Sequence, residues 1–181
     1  MSIPNFKYHP DPIASGSVEP SKTKCVCCHQ KRGFIYVGPV YAEDELDESI
    51  CPWCIHDGSA HKQFDAVFTD DASITTADGA PADLSEATLE EVAFRTPGFA
   101  GWQQEHWLVC CGEPAAFIAH AGTAELKGKF ADAIDSIQGE TGLSGPEWND
   151  YLNALQKDGS PTAYVFQCLH CRRHLAYSDC D

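Results

Sequence analysis

The chain has 181 residues, 43% of them apolar, enough for one domain or two small ones with a real core. Its 12 basic residues face 27 acidic ones, a formal net charge of −15, so contact with phosphate backbones is opposed by repulsion and nucleic-acid binding is disfavoured. No apolar run approaches bilayer length and the start, MSIPNFKYHPDPIASGS, lacks the pattern of a secretory signal, so the expected setting is cytoplasmic, with cysteines reduced and partly metal-bound.

Residues 1–24 read as an arm in which Pro4, Pro10, Pro12 and Pro20 preclude regular helix. Phe6 and Tyr8 are its expected anchors. His9 and Asp11, between prolines, read as turn chemistry.

The next stretch, Cys25 to Cys54, carries the strongest signal. Cys25-x-x-Cys28 and Cys51-x-x-Cys54 flank a short hairpin of Phe34, Ile35, Tyr36 and Val37, a Gly38-Pro39 break, then Val40 and Tyr41. A two-residue gap lets the backbone curl until both sulfurs face one point, so two such pairs can supply the four thiolates of a structural zinc site. Disulfides or redox motifs are the competing reading. A redox pair would need a strand before it and a helix after it, and such pairs seldom come as a matched set. Between the pairs, Glu43, Asp44, Glu45, Asp47 and Glu48 form an acidic run, a solvated loop or a patch suited to a basic partner.

A short helix is expected within 55–68 on the spacing of Phe64, Val67 and Phe68, then a loop over 69–82. His56 and His61 could be ligands, but beside a complete cysteine set they read as surface groups or as groups that support the ligands. Asp83 with Glu86 has capping-box spacing for a helix to about Phe94, with Leu89, Val92 and Ala93 inward. Trp102, His106 and Trp107 after the Thr-Pro-Gly-Phe turn suggest a lined pocket, although packed core aromatics are the commoner case. Strands are expected at 106–109 and 114–121, a helix from Thr123 to Gly139, another after Ser144 closed by Gly159, and strands at 162–167 and 175–177. The expected division is 1–68, an arm plus metal hairpin, and 69–181, a module with a second cysteine cluster.

That second cluster is Cys168 and Cys171 with Cys110 and Cys111, and His106, His170 and His174 are alternative ligands. Adjacent strand residues point to opposite faces, so Cys110 and Cys111 can both bind only if their turn distorts. Three ligands and a water would open the way to metal-assisted hydrolysis, whereas thiolate-rich sites are usually structural. Cys27 and Cys180 read as spare thiols. Phosphate loops, dinucleotide fingerprints and nucleophile elbows are absent from the sequence.

FKYHPDPIASGS in the arm, RGFIYVGPVY at 32–41, CPWCIHDGSA at 51–60, RTPGFAGWQQEHWL at 95–108 and QCLHC at 167–171 together carry a family likeness. On these residues the chain resembles the CbrC family of bacterial proteins, which carry three C-x-x-C motifs. The likeness covers nearly the whole chain and is least between 69 and 94. Where that family tends to show His-Cys, this chain has Cys110-Cys111, which keeps a metal ligand available at Cys110. The family's association with tolerance to a nuclease-type colicin implies an immunity role. The expectation is therefore a zinc-binding α+β protein in which two knuckle-like sites pin small antiparallel sheets against three to four helices. Its expected action is non-enzymatic, on a basic toxin domain, with two zinc ions held by Cys25, Cys28, Cys51, Cys54, Cys110, Cys111, Cys168 and Cys171. A zinc-dependent hydrolase or nuclease at the second cluster is the alternative.

Overall fold

A computed structural model describes residues 2–77 and 79–181. It is a mixed α+β protein with eight strands and six helices among the described residues. Chain contacts group 1–73 with 84–100 in one compact unit, and 74–83 with 101–181 in another. The expected division at 68/69 cuts the chain once, whereas these units exchange two segments.

In the first unit, β1 (Val18–Pro20) pairs antiparallel with β2 (Phe34–Tyr36). The N-terminal arm packs down through Phe6 and Tyr8, both buried. Asp11 Oδ1 accepts the Ala14 N–H at 3.0 Å, the side-chain hydrogen bond expected of this turn. His9 is buried, with its Nδ1 2.7 Å from the Pro97 carbonyl oxygen and its Nε2 2.7 Å from Ser15 Oγ. The apolar residues after the second cysteine pair form two short helices, α1 (Pro52–His56) and α2 (Ser59–Phe64), in place of one. Gly58, with φ 75°, makes the break, because a left-handed residue cannot continue a right-handed helix. Phe68 lies beyond both, and its N–H donates to Ala93 of α3 (Glu86–Arg95). The Thr-Pro-Gly-Phe turn then runs against this core. At Gly98 a β-carbon would collide with the Phe68 carbonyl, so only glycine fits.

The second unit contains two sheets. The expected loop over 69–82 holds a short strand, β3 (Ile74–Thr76), which pairs parallel with β4 (Trp107–Cys110); β5 (Glu113–Pro114) returns antiparallel to β4. The other sheet is an antiparallel meander of β6 (Ala116–Ala121), β7 (Thr162–Gln167) and β8 (His174–Asp179). The helix expected over 123–139 divides into α4 (Thr123–Lys127), a 3-10 turn and α5 (Ile134–Thr141), interrupted where Gly128 leaves helical geometry. Its apolar stripe survives: Leu126, Phe130 and Ile137 are buried beside Trp148 and Leu152 of α6 (Gly145–Ala154). The three to four expected helices thus become six among the described residues.

α5 lies along β8, the last strand of its sheet. Asp132 Oδ2 accepts the His174 N–H at 2.8 Å, Ser136 Oγ the Ala176 N–H at 2.8 Å and Glu140 Oε2 the Ser178 N–H at 3.1 Å. Asp132 lies in the 3-10 turn before α5; within α5 four residues rise about 6 Å against about 6.6 Å for two strand residues, so Ser136 and Glu140 meet alternate amides.

Candidate metal centres

The structure brings the eight cysteines together in two sets, Cys25, Cys28, Cys51 and Cys54, and Cys110, Cys111, Cys168 and Cys171. Within each set the sulfurs all lie within 4.8 Å of one another. In the first, Cys25 to Cys54 and Cys28 to Cys51 are 3.8 Å apart and Cys51 to Cys54 is 3.6 Å. In the second, Cys110 to Cys111 is 3.8 Å and Cys110 to Cys171 is 3.9 Å. A tetrahedron with Zn–S bonds of about 2.3 Å has edges of about 3.8 Å. The spacing therefore fits a four-thiolate metal ion and is too wide for disulfides, whose sulfurs sit about 2.05 Å apart.

One half of each set is built the same way. The Cys25 N–H donates to the Gln30 carbonyl at 3.0 Å and the His29 N–H returns to the Cys25 carbonyl at 2.9 Å. The Cys168 N–H likewise donates to Arg173 at 2.9 Å and the Arg172 N–H to Cys168 at 3.2 Å. Both loops are knuckles whose residue after the second cysteine is left-handed, His29 at φ 56° and Arg172 at φ 63°.

The other halves differ. Cys51 is the N-cap of α1 with Pro52 in the first turn, and its N–H donates to Cys25 Sγ at 3.3 Å. Val26 N–H to Ser49 and Tyr36 N–H to Ile50 hold the incoming strand in place. Cys110 and Cys111 sit at the β4–β5 hairpin, where Cys110 pairs with Glu113 and the two central residues, Cys111 and Gly112, have φ of 55° and 75°. These values match a type I′ turn, in which both central residues are left-handed. This is the distortion that two neighbouring ligands require. On the facing loop, the Cys171 N–H donates to Cys168 Sγ at 3.4 Å.

Hydrogen bonds tune the thiols. Donation from the Cys51 thiol lowers Cys25 to about 4 against the opposing effect of burial, helped by the N–H groups of Cys28, Cys51 and Cys27; Cys51, which gives up that hydrogen bond, is raised. Thiols this close favour one thiolate at a time, and a complete set of four needs a cation among them. At the second cluster the backbone N–H of Arg173, then Cys168, lowers Cys171 to about 6, while burial raises Cys110. Arg173 itself gains a charged partner in Cys171. Cations rim the first cluster too: Lys31 and Arg32 line a surface hollow with Cys28, and the Arg32 guanidinium lies 5.3 Å from the Trp53 ring centre. Each of these two loops carries a basic dipeptide, Lys31-Arg32 and Arg172-Arg173, but the sequence alone does not say which of these side chains reach the thiols.

The alternative ligands lie elsewhere. His170 Nε2 meets Glu113 Oε2 at 2.5 Å, His174 Nδ1 meets Asp132 Oδ1 at 2.8 Å, and His106 packs edge-on to Tyr177. Cys27 donates to Ser59 Oγ and Cys180 is exposed, so neither joins a cluster. Of the expected aromatic pocket, Trp107 is fully buried core with its indole N–H on the Ala115 carbonyl, and Trp102 is half exposed. The clusters also differ in burial. Cys25, Cys51 and Cys54 are buried, whereas Cys111 and Cys171 are exposed.

Residues 3–180 match the family described as "Uncharacterised protein family (UPF0167)". The chain belongs to the UPF0167 family. A UPF0167 protein of Mycobacterium bovis is 46% identical over 184 residues, covering 99% of this chain and 94% of that relative. A UPF0167 protein of Mycobacterium tuberculosis matches to the same extent. One of Pseudomonas aeruginosa is 42% identical over 170 residues, 93% of this chain and 92% of the relative. No solved structure matches. The two four-cysteine groups of this UPF0167 protein can hold metal ions, and no helix among the described residues is long and apolar enough to cross a membrane.

Proposed function

We propose that this protein is a zinc-binding, non-enzymatic interaction protein, an immunity or toxin-tolerance factor that neutralises a basic nuclease-type toxin domain in the cytoplasm. The observation that carries the reading is the pair of four-thiol sets, each with tetrahedral spacing. Soft thiolates in tetrahedral array select zinc among common divalent ions, and a reducing compartment keeps them available. Four protein ligands fill a tetrahedron, which weighs against the hydrolase alternative, since catalytic zinc keeps a position for water.

The partner follows from charge and from the resemblance to CbrC. Glu43, Asp44, Glu45, Asp47 and Glu48 are all exposed on a loop anchored by buried Leu46 and Ile50. Such a loop can steer and cover the cationic cleft of a nuclease.

Metal analysis of protein purified without chelator is expected to give two zinc ions per chain. Cys54→Ser should lose one of them and unfold the first unit, because structural zinc supplies roughly 10–16 kcal/mol to small domains. Cys171→Ser should lose the other and spare the first unit. Zinc near zero in the native protein would remove the scheme. For the partner, calorimetric titration with a basic nuclease-toxin domain at low salt is expected to show binding at about micromolar or tighter, weakened by salt and by replacing the five acidic residues with serine. Absence of heat at low salt would reject the immunity reading while leaving the metal reading standing.

A further inference from the structure

Within the second unit, β3, β4, β8 and the end of α5 border a cavity of about 400 Å³ that no metal ligand lines. Thr75, Thr76, His106, Leu108, Glu140 and Tyr177 contribute its chemistry. Tyr177 is only 5% exposed. Its hydroxyl oxygen accepts the His106 N–H at 3.0 Å, yet its own hydrogen has no acceptor among the described residues. A buried donor left unpaired is costly, so such a group points to a ligand that completes it. Glu140 spends Oε2 on the Ser178 N–H, and its Oε1 has no protein partner among the described residues.

Carboxylates dominate the charge around this donor and acceptor, with the His106 imidazole beside them. Burial, with Asp179 and Glu105 close by, keeps the Tyr177 phenol protonated and therefore a donor. Glu140 stands at the C-terminal end of α5, where the helix dipole is negative and cations are favoured. Among the described residues no lysine or arginine lines the cavity. Anions are opposed by these carboxylates, and the exposed Glu140 carboxylate favours a cationic group at Oε1.

We propose that this cavity binds a small primary amine bearing an oxygen acceptor, such as an amino alcohol or amino sugar. Its ammonium group bonds to Glu140 Oε1 and its oxygen accepts the Tyr177 phenolic hydrogen. Leu108 covers the carbon skeleton and the two threonines offer further polar contacts. The site is independent of both cysteine clusters.

The test is a ¹H–¹⁵N chemical-shift titration of the full, metal-loaded chain with ethanolamine and with glucosamine. Glucose and glucose 6-phosphate serve as neutral and anionic comparators. Saturable shifts are expected at Thr75, Leu108 and Glu140 with the amines, and glucose should bind roughly tenfold more weakly, the worth of one charged hydrogen bond. Glu140→Gln should weaken the amines by roughly tenfold and leave glucose unchanged, and Tyr177→Phe should weaken all of them. If Tyr177→Phe perturbs folding, Glu140→Gln decides, because its side chain lies on the exposed end of a helix. The proposal is overturned by no saturable shift with either amine at about 100 mM, where even very weak binding would register. Shifts that map outside the cavity, equal binding of glucose, or an unchanged affinity in Glu140→Gln would overturn it equally. Metal content measured on the same samples separates this result from the zinc reading.

Discussion

His29 and Arg172 hold left-handed φ values of 56° and 63°, each one residue beyond a knuckle's second thiol. Glycine is the usual occupant of such positions, and other residues there cost about 1–2 kcal/mol. That cost is offset where the knuckle's paired backbone hydrogen bonds and a bound ion fix the loop. Nothing in the sequence announces either residue, because the conformation belongs to the loop and not to histidine or arginine. The thiols are the opposite case. Their two-residue spacing already dictates convergence, so Cys25, Cys28, Cys51 and Cys54 are legible in the chain, whereas the pairing of Cys110 with Cys111 becomes intelligible only through the left-handed turn at Cys111 and Gly112. Glu140 gives a prediction at this scale. Desolvation, with Asp179 nearby, raises its folded-state pKa above the usual carboxylate value. The folded state therefore holds this proton more tightly than the unfolded chain does. The resulting stability is fully present below about pH 4.3 and is lost as pH rises through the higher folded value. Denaturant melts of the ligand-free protein should show that loss, and Glu140→Gln should abolish that component. A flat difference between the two proteins across the range would refute it.

Helix α3 shows what local signals can and cannot fix. Asp83 and Glu86 suggest a start two residues earlier than the one observed. The cap is Ser85, whose Oγ accepts the Thr88 N–H at 3.2 Å. Both positions offer a capping oxygen, and the backbone of the preceding segment decides between them. Ser85→Ala should cost about 1 kcal/mol in chemical denaturation and Asp83→Ala close to nothing. The reverse order would restore the earlier start. The apolar stripes of the other helices were readable, but the breaks at Gly58 and Gly128 were not, since an isolated glycine is tolerated inside helices at modest cost. β3 escaped for a different reason. Three residues are too few for alternation to register, and its partner is more than thirty residues away.

At the scale of the whole chain, the two clusters have unequal shielding and unequal loops. Cys25 and Cys54 are 29 residues apart, Cys110 and Cys171 are 61. Closing the longer loop costs about 0.7 kcal/mol more by the logarithmic rule, a minor term beside solvent access. A metal ion at the second cluster would be open to competing ligands through exposed Cys111 and Cys171, whereas Cys25, Cys51 and Cys54 of the first cluster are buried. Chelator titration followed by metal release should therefore show two phases, with Cys171→Ser removing the faster one. A single phase in both proteins would contradict the assignment.

The side chains of Asp132, Ser136 and Glu140 occupy alternate amides of β8 that would otherwise face outward. An outermost strand with free amides is a template on which another chain can add itself, and repeated addition is how fibres grow. Here that template is already taken, one amide at a time, by α5 and the 3-10 turn that leads into it. Disabling the ladder would leave all eight clustered thiols in place and still expose the molecule to polymerisation along this edge.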